Sequence, residues 1–107
     1  MQIEVITTGT KYYDGLKAID VNSKVDVRFD ASNLYSNNAF SVSTLGGLRI
    51  GSVAENPSYI PRKIVSETTI LAKELKQLVN DGFTIVGAVV KEIVRNYQFP
   101  AIKGAVL

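Results

Sequence analysis

Short strand-like segments separated by turn residues constrain the fold of this chain more than any other feature of its sequence. Several of them alternate between apolar and polar residues, as over residues 25–29, which is the period of a strand with one buried face. Gly46 and Gly47 supply a tight connection between two such segments and predict a hairpin. The predicted strands cover residues 2–7, 25–29, 40–44, 48–54, 83–93 and 101–107.

One helix is predicted between the fourth and fifth of these strands. Ser66 is expected to cap it, because a serine hydroxyl can accept from a free amide in the first turn, and Gly82 suits the left-handed position after a helix. The apolar stripe of this helix is formed by Ile70, Leu71, Leu75, Leu78 and Val79. Short strands around a single helix predict an α+β fold class, mainly β with α, in which about six strands form a small, partly open β-barrel.

Composition predicts one folded domain over residues 1–107, because 46% of the 107 residues are apolar and 21% are charged. The chain contains no His, no Cys and no Trp. It therefore offers no thiolate or imidazole metal ligand and no histidine base. We expect no enzyme, no catalytic residue, no metal and no cofactor. One alternative stays open, a carboxylate-only magnesium site built from Asp26, Asp30 and Glu92.

Charge and hydropathy limit the partners. The net charge of +2, from 12 basic and 10 acidic residues, is too small to attract nucleic acid by the overall field, so such a ligand would need a local patch. No apolar run approaches the ~20 residues that span a bilayer. Glu4 lies where a signal peptide would carry basic residues. We expect a cytoplasmic protein with no membrane partner.

Two loops place tyrosines among polar residues. Tyr12 and Tyr13 follow Lys11 after the first strand, where an extended backbone would point one ring inward and the other outward. Ordinary packing explains such a pair, whereas an outward ring beside a lysine would form a stacking platform next to a phosphate ligand. In residues 32–38 the asparagines and serines are typical of a turn that bonds its own backbone, but they do not explain Tyr35.

Four segments, taken in chain order, resemble the HIRAN domain, a module of helicase-like DNA-repair remodelers that also occurs as a free-standing bacterial protein. They are residues 9–15, 25–30, 33–42 and 49–53, and the likeness covers nearly the whole chain. Its most specific parts are the asparagine–tyrosine turn and the Ile50-Gly51 pair in the return strand of the hairpin. The resemblance implies an OB-like barrel that binds the 3′ end of single-stranded DNA.

The resemblance also implies roles for individual residues. Lys11 matches a basic phosphate contact, and Tyr12 and Tyr35 match rings that stack on the terminal bases. Ser32 and Asn33 match the amides of the turn. Phe99, before the last predicted strand, matches a later aromatic. Beyond these matches, we expect Ser36 to bind the terminal sugar together with Asn33, and Arg62 with Lys63 to add electrostatic support.

The sequence departs from the family pattern at three places. Members commonly carry Asp after the turn tyrosine, where this chain has Ser36, whose hydroxyl can accept a hydrogen bond but lacks the strengthening charge. Leu34 stands where Pro is usual. Further phosphate-binding side chains usually follow the Ile-Gly pair, whereas this chain continues to Glu55.

We predict a single-stranded DNA-binding module that recognises 3′ ends and is accessory to DNA repair or processing, with a helicase or nuclease as its partner. The alternative is a protein-interaction or self-association module, a homo-oligomer with no nucleic-acid ligand. Ser36, Glu55 and the weak net charge favour this alternative, and the apolar segment 101–107 would be buried or lie in an interface. A third alternative is an accessory to an acid-dependent nuclease.

Overall fold

The computed structural model describes residues 3–60, 62–94 and 101–106. Seven strands and one α-helix form within these ranges. They are β1 (Ile3–Thr8), β2 (Lys24–Phe29), β3 (Phe40–Thr44), β4 (Arg49–Val53), β5 (Thr69–Ile70), α1 (Ala72–Asn80), β6 (Ala88–Val94) and β7 (Ala101–Val106). Short 3-10 turns lie at Thr10–Tyr12, Gly15–Ala18, Pro57–Tyr59 and Arg62–Ile64.

Six of the strands form a ring. The sheet order is β4-β3-β2-β6-β7-β1-β5, and a further pairing of β4 with β1 joins the two sides. The ring is only partly closed, because β1 and β4, and likewise β2 and β6, share just two residue pairs each. The predicted fold class is confirmed: a mainly β, OB-like half-barrel with one main helix.

The strand outside this ring is β5, and the sequence did not predict it. It runs parallel to β1, with Glu4 opposite Thr69 and Val5 opposite Ile70. The same edge of β1 pairs with β4 further along, at Thr7. The ring strands pair antiparallel, so β5 makes the sheet a mixed one.

The barrel interior holds the main hydrophobic core. Along β2 the predicted alternation is observed, since Val25 and Val27 are buried while Lys24 and Arg28 are exposed. The helix contributes Leu75, which is fully buried; burial of such a side chain is worth ~1.5–3 kcal/mol. A second, smaller cluster anchors the chain after β4 and consists of Ile6, Ala54, Ile60, Ile64 and Val94.

The helix begins later than its apolar stripe predicts. Ser66 does not cap it; its hydroxyl instead donates to the Glu4 carboxylate at 2.6 Å. Ile70 belongs to β5, since the β1 edge offers this β-branched residue a partner strand. The first helical residue is Ala72, and the helix ends as predicted, with Gly82 at a φ of +103°.

The strand predicted over residues 83–93 is also shorter than expected. Residues 83–87 form no ladder, and β6 begins at Ala88. Gly87 has a φ of +146°, a conformation incompatible with a continuous strand, so the apolar run divides there. Phe83 and Ile85 nevertheless pack against the core, which explains their apolar character.

Among the described residues, no helix has the length and apolar character needed to cross a membrane.

Gly51→Ala tests the closure of the ring. An added Cβ would overlap the carbonyl oxygen of Thr8 and lie 2.9 Å from Thr7 Cγ2. We expect the free energy of unfolding to fall by about 1–3 kcal/mol, measured from urea denaturation, because the extra methyl group forces β1 away from β4. Gly46→Ala is the control, since its nearest neighbour is Thr44 Oγ1 at 3.8 Å. Equal unfolding midpoints for the two variants would contradict a close approach at Gly51.

Candidate functional site

The loop between β2 and β3, here called the Tyr35 turn (residues 30–38), is organised by its own side chains. One carboxylate oxygen of Asp30 accepts from the backbone N–H of Ser32 at 3.2 Å and from its hydroxyl at 2.7 Å. The amide oxygen of Asn33 accepts from the backbone N–H groups of Tyr35 at 2.8 Å and Ser36 at 3.0 Å. These bonds take the place of a backbone ladder and give the turn a defined shape.

The side chains at the tip of this turn face solvent. Tyr35 is 97% exposed and Leu34 is 91% exposed. A ring in this position contributes nothing to the core, while its backbone is held by Asn33. It is therefore a planar apolar surface open to a ligand.

Glu55 reaches the Tyr35 turn from the end of β4. The hydroxyl of Ser36 accepts from the backbone N–H of Asn38 at 3.0 Å and donates to the Glu55 carboxylate. Sequence reasoning treated Ser36 and Glu55 as separate departures and did not assign Glu55 to the site. The predicted hairpin could have indicated this contact. Ser36 precedes its first strand and Glu55 follows its second, and the open ends of two antiparallel strands lie side by side.

The loop after β1, here called the Tyr12 turn (residues 9–13), carries the other predicted cation and ring. Tyr12 lies in a 3-10 turn rather than in extended backbone, and its side chain is 74% exposed. The ammonium nitrogen of Lys11 lies 5.1 Å from the centre of the Tyr12 ring. Tyr13 is 39% exposed, so the expected inward ring is not buried, since the 3-10 turn replaces the alternation of a strand.

Arg49 is a second residue that sequence reasoning did not assign to the site. Its guanidinium carbon lies 4.9 Å from the centre of the Tyr13 ring. Its Nε donates to the carbonyl of Gly51 at 2.9 Å, and its Nη2 donates to the Ser52 hydroxyl at 2.8 Å. These contacts fix a positive charge beside the Tyr12 turn, although an arginine within a strand gives no sequence signal for such a role.

Both tyrosine-bearing turns are attached to the same strand. The Tyr12 turn packs on β4, where Ser52 pairs with Thr8 just before that turn begins. The Tyr35 turn is joined to the chain just after β4 through Glu55. One predicted group of residues, around Tyr12, thus contacts β4, and the other, around Tyr35, contacts Glu55 just after that strand.

The remaining predicted residues are placed elsewhere. Arg62 and Lys63 are exposed in the 3-10 turn Arg62–Ile64. Arg62 borders an apolar groove of about 990 Å³, and no residue of either tyrosine turn lines it. The groove is lined by Pro57, Ser58, Ile60, Arg62, Val65, Thr69 and Leu71. Phe99 lies outside the described residues.

In the described part of the chain, no group of three or more carboxylates is close enough to hold a metal ion. Asp26, Asp30 and Glu92 thus do not form the magnesium site that their residue types allow.

The family model of the HIRAN domain matches residues 2–99 of the chain. The chain belongs to the HIRAN-domain family. The match confirms the resemblance drawn from the four sequence segments and extends over β1 to β6.

Solved structures share the fold of this HIRAN domain. The crystal structure of the HIRAN domain of human HLTF superposes with a TM-score of 0.65 at 18% identity, and the alignment covers 98% of this chain and 74% of that one. The crystal structure of a protein from Lactobacillus plantarum gives a TM-score of 0.66 at 18% identity, with coverage of 99% and 95%. A comparison with curated proteins finds no match. At this identity the likeness establishes the fold, and the site must be argued from its own residues.

Asn33→Ala tests the internal scaffold of the Tyr35 turn. The change removes the acceptor shared by the Tyr35 and Ser36 amides, so we expect both amides to exchange with solvent about fivefold faster, in keeping with a hydrogen bond worth ~1 kcal/mol. Exchange measured by NMR provides the readout. Asn37→Ala is the matched control, because the exposed Asn37 side chain makes no hydrogen bond to a described residue. Unchanged exchange in Asn33→Ala would show that another contact shapes the turn.

Proposed function

We propose that this HIRAN domain binds single-stranded DNA, recognises its 3′ end, and serves DNA repair or processing beside a helicase or nuclease. The HIRAN domain is known as a DNA-binding domain, which supports nucleic-acid binding in general. The observation that carries the finer proposal is the 97% exposed Tyr35, whose backbone is held by Asn33 in an ordered turn.

Stacking would supply most of the affinity. Tyr12 and Tyr35 both present exposed rings, and a base stacked on an aromatic side chain gains ~1–3 kcal/mol. Stacking uses the face of a base and not its hydrogen-bonding edge, so it tolerates any sequence. Lys11 and Arg49 would meet the phosphates, a small number of contacts that suits the weak net charge.

The terminal sugar would lie against the polar side of the Tyr35 turn. The Asn33 amide oxygen is occupied by two backbone N–H groups, so its NH₂ group is the part free to bind a ligand. Ser32 and Ser36 add hydroxyls beside it. Phe99 remains a predicted ring at the terminal bases, and Arg62 and Lys63 remain predicted electrostatic support.

Binding without catalysis is the expected activity. HIRAN is a binding domain and not a catalytic one, which supports the expectation that this chain is not an enzyme.

Tyr35→Ala and Tyr35→Phe test the stacking role. We expect Tyr35→Ala to weaken binding of a short single strand roughly 5- to 150-fold, the equivalent of ~1–3 kcal/mol, because the stacking surface is lost. Tyr35→Phe keeps the ring and should bind within about threefold of wild type. Fluorescence anisotropy of DNA labelled at its 5′ end measures both while leaving the 3′ end free.

The same titration with a 3′-hydroxyl strand and a 3′-phosphate strand tests end recognition. Equal affinity for the two strands would remove the end-recognition proposal, and wild-type affinity in Tyr35→Ala would remove the stacking proposal.

Self-association through the apolar groove beside Arg62 is a second candidate function. The observation that favours it is the groove itself, about 990 Å³ in volume and lined mainly by apolar side chains, including Val65, which is 50% exposed. On this proposal, sedimentation velocity should show a concentration-dependent dimer that Val65→Glu returns to monomer. Val86→Glu, at a 79% exposed position outside the groove, is the matched control. A monomer at every concentration would dismiss this candidate.

A further inference from the structure

The second half of β2 has one edge without a partner strand. One neighbour, β3, pairs with β2 from Val25 to Phe29, but the other neighbour, β6, pairs with it only at Lys24 and Val25. Residues 83–87, which precede β6, form no ladder. The ring of strands is therefore open along the second half of β2.

The backbone of this open edge presents both donors and acceptors. The N–H of Asp30 donates to the carbonyl of Ala39 at 2.8 Å. Because hydrogen-bonded pairs alternate along an antiparallel ladder, the N–H and C=O groups of Val27 and Phe29 point away from β3. Within the described part of the chain, no backbone hydrogen bond joins these two residues to residues 83–87.

An apolar groove of about 330 Å³ lies along the same edge. Phe40, within the groove, is fully buried, while Phe29 is 38% exposed at its border. The groove thus combines unpaired backbone groups with an apolar surface, the two features that an added β-strand uses. It is lined by Val27, Arg28, Phe29, Phe40, Val79, Phe83, Thr84 and Ile85.

The charges beside the groove are basic. The side chain of Arg28 is 78% exposed, and the ammonium nitrogen of Lys76 lies 3.8 Å from the centre of the Phe29 ring. None of the described residues that line the groove is acidic. Nη2 of Arg28 lies 3.7 Å from Oδ2 of Asp26, but an exposed pair of this kind is weak, so Arg28 can turn to another carboxylate.

We propose that the open edge of β2 binds an extended peptide of a partner protein in which apolar and acidic residues alternate. The peptide adds as a strand whose backbone pairs with Val27 and Phe29. Its side chains point alternately to the two faces, so the apolar ones enter the groove and the acidic ones lie on the face of Arg28. A nucleic acid has no row of alternating donors and acceptors along its backbone, so this edge favours a polypeptide.

This binding site goes beyond the proposed function and does not depend on it. No residue of the Tyr12 turn or of the Tyr35 turn lines the groove. Tyr35→Ala should therefore bind the peptide with wild-type affinity, whatever it does to DNA binding.

The test titrates the isotope-labelled protein with three synthetic peptides and follows the amides by NMR. The first is acetyl-Thr-Val-Glu-Val-Glu-Val-Thr-amide, the second has Lys in place of Glu, and the third is the first methylated at its backbone nitrogens. We expect saturation with the glutamate peptide to slow exchange of the Val27 and Phe29 amides about tenfold or more. The methylated peptide should bind roughly tenfold more weakly, and the lysine peptide roughly three- to tenfold more weakly.

Arg28→Glu tests the charge in the opposite direction. Its affinities for the glutamate and lysine peptides should lie within about twofold of each other, because a negative charge replaces the cation that faces the peptide. Lys91→Glu is the matched control, since Lys91 is exposed on β6 and does not line the groove. Urea denaturation checks that both variants are folded, and the three peptides test the wild-type protein independently of either variant.

Each alternative result has a definite meaning. Equal affinity for the glutamate peptide and its methylated form would overturn strand addition. Equal affinity for the glutamate and lysine peptides would overturn the acidic partner. If no peptide binds, or if only single-stranded DNA slows exchange of the Val27 and Phe29 amides, the proposal fails. A failure of DNA binding alone would remove the proposed function and leave this proposal standing.

Discussion

The pairing of β1 with β4 is the constraint on which the rest of the structure depends. Two residue pairs, Thr7 with Val53 and Thr8 with Ser52, close the ring of six strands. On β1, Thr8 directly precedes the Tyr12 turn. On β4, Val53 lies two residues before Glu55. Because Gly51 has no side chain, β4 can approach β1 closely enough to pair with it, and both tyrosine-bearing turns contact β4 or the residue two positions after it.

The parts of the fold that the sequence predicts are those governed by local chemistry. Alternation located β2 and β3, and Gly82 marked the end of the helix, because the period of a strand and the conformation of a single residue are both readable along the chain. β5 could not be found in this way. Its two residues are helical by pattern and become a strand only because β1 offers a free edge to pair with.

The same division holds for the candidate site. Tyr35 and Asn33 stand within one turn, and an aromatic among turn formers is visible in sequence. Arg49 and Glu55 belong to the site through contacts that cross strands, to Tyr13 in one case and to Ser36 in the other. Such contacts depend on which strands pair and in which register. They can be located only when the pairing of the strands in the barrel is known. The likeness to solved structures at 18% identity therefore establishes the fold, while the roles of the polar residues around the tyrosines rest on the contacts seen in this chain.

The short strand β5 has a consequence for how the molecule behaves at high concentration. An unpaired strand border is a template on which other chains can add, and this leads to amyloid-like assembly. β4 covers β1 only near Thr7 and Thr8, and β5 covers it at Glu4 and Val5. The two residues of β5 thus cover part of the edge of β1, a strand with four buried side chains, and leave less of that edge open to pairing with a neighbouring molecule.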